Sequence, residues 1–275
     1  MTMSIKQRSN PPLIMGILNI TPDSFSDGGE YNHPDLALQH ALTMIEQGAD
    51  IIDIGGESTR PGADIVSEQQ QLQRVLPVIR LLRKNIPEHI LISIDTTNVR
   101  VAKAAIEAGA NWINDVSAAE DSPEMLALAA KKQCTIVLMH RQGISATMQD
   151  NPQYNNVSQE VANYLQKRAQ IALDTGILAK NIILDPGIGF GKTFEHNISL
   201  MANLSSFVAL DYKILLGTSR KRFLSEICQQ PSSSKLATAT SATTVLGMMA
   251  GVSIFRVHDV LENRQAADVT WKIIK

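Results

Sequence analysis

NIILDPG, residues 181–187, decides how the rest of the chain is read. Ile182, Ile183 and Leu184 are apolar at consecutive positions, so the strand they predict is covered on both faces, and the run ends at once in an acid, a proline and a glycine. Seven other runs share this build: LIMGILNI (13–20), DIIDIGG (50–56), ILISIDT (90–96), NWINDV (111–116), CTIVLMH (134–140), KILLGTS (213–219) and SIFRVHD (253–259). Between them the spacing predicts helices over 35–48, 67–85, 98–109, 122–133, 157–176, 196–210, 235–250 and 260–274. Leu72, Val75, Leu76 and Ile79 fall on one helix face, and Gly48, Gly109 and Gly176 stand where a left-handed C-cap suits glycine. Eight strand–helix units in about 250 residues are what a (β/α)₈ TIM barrel needs, an open doubly wound sheet being the alternative. No low-complexity linker divides residues 1–275, and the stretch 229–235 reads as a loop in the seventh unit, so the chain is expected to be a single domain.

The 275 residues are 44% hydrophobic, enough for a large core, and carry a formal net charge of -2. That charge gives no long-range field to recruit nucleic acid or an acidic membrane. Cys134 and Cys228 make neither a CxxC pair nor a zinc spacing, which suits a reducing compartment. The polar start MTMSIKQRSNPP lacks a signal-peptide core, and no apolar run reaches the ~20 residues that span a bilayer. A cytoplasmic protein is expected.

The strand interiors are apolar, but their carboxyl ends are not. Asn19 ends the first strand; Asp53, Glu57 and Thr59 end or follow the second; Asp95 ends the third, Asn114 and Asp115 the fourth, His140 the fifth and Asp185 the sixth. Ser219 and Lys221 follow the seventh, and Arg256 and His258 end the eighth. In a parallel barrel these positions meet at the rim where active sites form. Any one of them could simply cap a helix; eight strands behaving alike point to a site. Arg256, His258 and Lys221 suit an anion, while Asp95, Asp185, Asn19 and Asn114 suit a ring edge with adjacent N–H groups. A phosphorylated heterocycle satisfies both.

Some motifs are weaker. PGIGFGKT (186–193) nearly fits a P-loop, but Pro186 replaces its first glycine; Gly187, Gly189 and Gly191 are read instead as bringing backbone close to a ligand with Phe190 turned towards it. Ser219 lies in GTSRK, without a hydrolase elbow. Met139 can line the pocket, Arg80, Arg83 and Lys84 read as a solvated helix face, and His196 as a surface or capping residue. The long stretches 21–34 and 57–67 read as binding loops or lids.

MGILNITPDSFSDGG (15–29) and DIGGESTRPGA (53–63) resemble the two signature segments of the dihydropteroate synthases, a pterin-binding enzyme family. The likeness continues through ISIDTT, WINDVS, LMHRQG, LDPGIGFGK, GTSRK and FRVHDV, in order along nearly the whole chain. It implies a transferase of folate biosynthesis that joins a pterin diphosphate to p-aminobenzoate as a homodimer, with Mg²⁺ as cofactor. It implies that Asp95, Asn114, Asp185 and Lys221 hold the pterin, that Arg256 and His258 bind the diphosphate, and that Asn19 lies by the magnesium ion. Thr59, Arg60, Phe190, Ser219 and Phe25 would line the p-aminobenzoate site. Val257 is counted with the substrate-binding segment, although on a strand it alternates away from Arg256 and His258. Lys221, Asp95, Asp185 and Arg256 would carry the catalysis. Arg141, Ser225 and Ala239 depart from the family pattern without touching these residues. A pterin-binding methyltransferase and a non-catalytic pterin binder are the competing readings; the TPDSF and SRK segments speak against the first, the complete rim set against the second.

Overall fold

The computed structural model describes residues 11–20, 33–57, 66–143 and 147–275. Phe25, Thr59 and Arg60 lie outside them, as does most of both long loops. Eight parallel strands run β1 (Leu13–Asn19), β2 (Ile51–Gly55), β3 (Leu91–Asp95), β4 (Trp112–Asp115), β5 (Thr135–Met139), β6 (Ile182–Asp185), β7 (Lys213–Leu216) and β8 (Ile254–Val257). They pair in chain order, and β8 closes on β1 through Met15 opposite Arg256, so the sheet is a closed (β/α)₈ barrel and not an open one.

Around it run α1 (His33–Glu46), α2 (Glu68–Asn85), α3 (Val99–Ala108), α4 (Glu124–Lys132), α5 (Val157–Asp174), α6 (Phe194–Ala202), α7 (Leu204–Val208), α8 (Arg222–Cys228), α9 (Ala237–Ala250) and α10 (Val260–Ile274). Polar side chains start several of them. Ser67 and Gln70 form a capping box on α2, Asn98 accepts from Arg100 N–H at 2.8 Å on α3, and Asn156 accepts from Gln159 N–H at 3.1 Å on α5. The helix expected over 196–210 is instead two, α6 and α7. They part at Asn203, where the backbone leaves helical angles (φ -109, ψ 22) and the side-chain amide joins the backbone N–H on the Ser199 carbonyl, at 2.8 and 3.1 Å. The short α8 was not foreseen: seven residues are too few for apolar periodicity to show. Arg83 does not lie free on a solvated face, because its guanidinium ties down the Ile86, Pro87 and Ile90 carbonyls beyond the end of α2.

Strand alternation divides the core. Met15, Ile51, Trp112, Val137, Ile183, Leu215 and Ile254 fill the amino-terminal half of the barrel interior. Their neighbours in sequence, such as Ile14, Ile52, Ile136 and Phe255, pack outward among the helices. The carboxyl half of the interior is therefore left to the next inward residues, and most of these, among them Asp53, Asn114, Asp185 and Arg256, are polar. Among the described residues no helix is long and apolar enough to cross a membrane.

Candidate active site

A cavity of about 820 Å³ opens at the carboxyl mouth of the barrel. Asn19, Asp95, Asn114, Met139, Asp185, Phe190, Ser219, Lys221, Arg256 and His258 all line it, so the sequence-expected set that falls within the described residues converges, apart from Val257. Val257 is buried in the outer layer between barrel and helices, and that expectation is corrected: one residue along a strand reverses the face.

The floor is a network of acids around one guanidinium. Arg256 donates from Nε to Asp53 Oδ2 and from Nη2 to Asp95 Oδ2, both at 2.6 Å. Asp53 Oδ2 also accepts from the Asn114 side-chain amide at 3.0 Å, which turns the amide oxygen of Asn114 away from Asp53. Asp95 and Asn114 are register partners on adjacent strands. Asp95 Oδ1 is buried without a hydrogen-bond partner among the described residues, an acceptor left for something that enters the cavity. Burial raises the Asp95 carboxyl to about 7, against the pull of Arg256. Burial also works against the charge on Arg256, but Asp53 and Asp95 outweigh it and hold the guanidinium more firmly protonated than in water. Because Arg256 faces these acids, only the N–H groups left over can meet a diphosphate.

One wall belongs to Asp185 and Lys221. Asp185 Oδ1 accepts from Gly187 N–H at 2.7 Å; burial raises its pKa, and Lys221 opposes this. The Lys221 ammonium reaches the Ile188 carbonyl and lies 4.7 Å from the centre of the Phe190 ring. Burial lowers Lys221 to about 8, although Asp185 pulls the other way. At the edge, Ser219 Oγ accepts from His258 N–H at 3.0 Å and lies 3.0 Å from His258 Nδ1.

Other rim residues take the plainer roles. Asp115 accepts from Ser117 N–H at 2.7 Å and Ala119 N–H at 3.0 Å, and so shapes a turn. Glu57 holds Val66 N–H and the Gln71 amide. His140 is buried against Lys192, with the edge of Tyr164 at 4.9 Å between ring centres. Thr193 and His196 form the capping box of α6, in keeping with the capping reading of His196. The P-loop resemblance ends here, since the Lys192 side chain turns inward to protein acceptors and Thr193 is spent on the cap. The glycines also differ from expectation. A Cβ on Gly187 would lie 1.8 Å from the His140 carbonyl oxygen, and one on Gly191 2.3 Å from that of Gln142, so these two pack loop on loop, while Gly189 alone abuts Lys221.

Asp53 and Lys192 are buried charges whose partners are not legible in the sequence, Asp53 being expected only as one of the rim residues. Asp53 had a signal, since it shares strand parity with Ile51, which fills the barrel interior, and therefore faces inward. Lys192 had none beyond the misleading GKT.

The shifts of Asp95 and Lys221 set an expected pH dependence. With rising pH, kcat/KM should climb through about 7 as Asp95 loses its proton and Oδ1 becomes an acceptor, then fall through about 8 as Lys221 loses its charge. A pH–rate profile checks this, and a flat profile from about 6 to about 9 contradicts it.

A polar floor that accepts N–H groups, at the carboxyl mouth of a parallel barrel, defines a class: barrel enzymes that take a flat nitrogen heterocycle. Similarity narrows it. A family model described as pterin binding enzyme matches residues 15–258. The dihydropteroate synthase of Clostridium beijerinckii is 48% identical over 263 residues, covering 95% of this chain and 94% of that one. A crystal structure of the Clostridium difficile dihydropteroate synthase in the presence of pteroic acid superposes with a TM-score of 0.90 at 42% identity, over 100% of this chain and 99% of that one. That of Xanthomonas albilineans with 4-aminobenzoic acid gives 0.90 at 39% identity, over 96% and 93%. The chain belongs to the pterin-binding enzyme family and, within it, to the dihydropteroate synthases.

Proposed function

We infer that this chain condenses 6-hydroxymethyl-7,8-dihydropterin diphosphate with p-aminobenzoate to give 7,8-dihydropteroate and pyrophosphate, a transferase step of folate biosynthesis. The observation that carries the reading is the buried Asp95 Oδ1, without a partner among the described residues, beside Asn114 and Asp185 in the cavity, which suits the amino-pyrimidinone edge of a pterin. In the reaction the bond between the pterin methylene and the diphosphate oxygen breaks, and its electrons leave with the diphosphate. The amine lone pair forms the new C–N bond, and the nitrogen then sheds a proton. Positive charge grows on the pterin, where Asp95 and Asp185 favour it; negative charge grows on the leaving group, where His258 and the outer N–H groups of Arg256 favour it. Lys221 holds its charge between the Phe190 ring and Asp185, and Ser219 with Phe190 faces the incoming amine. Thr59 and Arg60 would complete that side from the second loop. An aromatic amine is neutral at pH 7, so attack requires no strong base. Chromatography of mixtures with labelled p-aminobenzoate tests the reading: label appearing in dihydropteroate supports it, whereas pterin binding without product leaves the non-catalytic alternative, and methyl transfer from a folate leaves the other.

Magnesium fits only as a passenger of the diphosphate. Among the described residues no three His, Cys, Asp or Glu side chains gather as a cage, and Asn19 offers the cavity one hard amide oxygen. Mg²⁺ commonly keeps its waters and takes substrate phosphates with few protein ligands, which matches that donor set. Bound there, it would neutralise charge on the leaving group. Removing it with EDTA is expected to lower turnover at least about tenfold, with recovery on adding Mg²⁺ in excess of the chelator; unchanged turnover contradicts the assignment of Asn19.

A homodimer through α9 and α10 accounts for the apolar side chains there. Leu246 is 56% exposed, Val269 61% and Ile273 76%, with Met249 and Leu261 also exposed. Sedimentation should give twice the chain mass, and Val269→Glu with Ile273→Glu should give single chains; a wild-type monomer rejects the proposal. Cys134 and Cys228 are both free thiols, which supports a reducing, cytoplasmic setting.

A further inference from the structure

Lys192 is only 3% exposed and has no part in the chemistry above. Its ammonium meets the Phe190 carbonyl oxygen at 2.9 Å, His140 Nδ1 at 3.0 Å and the His140 carbonyl oxygen at 3.4 Å. Three acceptors thus surround the nitrogen and offset part of the cost of burial, which still lowers the Lys192 pKa well below its ordinary value, with the Lys221 charge adding to the effect. The acceptors converge because Gly187 and Gly191 let the β6–α6 loop lie backbone to backbone on the β5–α5 loop, where any Cβ would collide. Tyr154 Oη adds a further tie to the Gly191 carbonyl at 2.8 Å. The residue so anchored is Phe190, whose ring lines the cavity under the Lys221 ammonium.

We infer that Lys192 is a positioning residue: by clamping the Phe190 carbonyl to the His140 loop, it fixes the aromatic wall against which the amine substrate is placed. The inference rests on the function proposed above. His140 serves the same clamp as a neutral ring, since burial and the nearby Lys192 push its pKa down to about 3 and leave Nδ1 free to accept. Asp53 and Asp95 take their hydrogen bonds from Arg256 and Asn114, not from Lys192. Asp185 keeps Lys221, the Gly187 N–H and Arg256, each of which acts on it more strongly than Lys192, so the pterin floor keeps its main partners when the clamp is cut.

The test is Lys192→Met, which keeps an unbranched side chain as far as Cε and removes the donors, followed by steady-state kinetics in each substrate. KM for p-aminobenzoate should rise at least about tenfold, and KM for the pterin diphosphate should change less than about threefold. An unchanged KM for p-aminobenzoate, or a rise shared equally by both substrates, overturns the inference; a merely structural lysine would give one of these. Should Lys192→Met fail to fold, His140→Ala should raise the same KM, and His140→Asn, which restores an acceptor near Nδ1, should recover most of it. Equal values in the two histidine variants overturn the inference. If the wild-type protein makes no dihydropteroate, the proposed function fails. If it makes product while the variants match it, this inference alone fails.

Discussion

Replacing Lys221 with alanine is expected to lower turnover about 100-fold to 1000-fold with the fold intact, the range seen when one preorganised electrostatic donor is removed from an enclosed site. The side chain is held in place by three features: the Ile188 carbonyl, the face of Phe190 and the nearby Asp185 carboxylate. Its loss leaves Asp185 without its largest compensating charge, although Gly187 N–H still fixes one oxygen. Stability should fall less than for Arg256→Met, because the Lys221 ammonium is already disfavoured by burial and Asp185 keeps its bond from Gly187 N–H. Turnover of the purified variant together with its melting curve checks both halves. Wild-type turnover, or a melted protein, contradicts the role.

Arg256→Met should act on stability as well as on chemistry. The guanidinium is the shared partner of Asp53 and Asp95, whose side chains are 0% and 5% exposed. Removing one member of a buried pair leaves uncompensated charge, and about 3 kcal/mol of unfolding free energy is expected to go. Adding Asp53→Asn to the variant should return part of that loss, because one of the two stranded acids becomes neutral. Denaturant unfolding of wild type, both single variants and the double variant measures this coupling. Additive effects, or an unchanged unfolding free energy for Arg256→Met, would show that Arg256 and Asp53 are not coupled.

The barrel was legible because strands covered on both faces lose polar alternation everywhere except where they emerge at the mouth. Asp95, Asn114 and Asp185 stood out as acids and amides at the ends of such runs, and each does reach the cavity. Parity decided the harder cases. Asn114 faces in while Asp115, its neighbour, faces a turn; Arg256 faces in while Val257 packs outward. Residue type alone cannot separate these pairs, but the inward run Ile254, Arg256, His258 can. What the sequence could not carry was pairing across the barrel. Arg256 and Asp53 lie 203 positions apart and meet only because β8 and β2 both flank β1 in the closed sheet. An arginine read as an anion ligand therefore turned out to spend two of its donors on acids. Lys192 carried no reading of its own once Pro186 had ruled out a P-loop, and its partners, two carbonyls and a histidine, come from loops that only the fold brings together.

A crystal structure of this protein with pteroate bound probes the arrangement most directly. The expected result is a pterin ring on the floor, with its N–H groups within hydrogen-bonding distance of Asp95 Oδ1 and Asp185 and with the Asn114 oxygen beside them, while the benzoate ring lies against Phe190 near Lys221 and Ser219. A ligand seated elsewhere on the barrel, or Asp95 Oδ1 left unengaged beneath a bound ring, would contradict it.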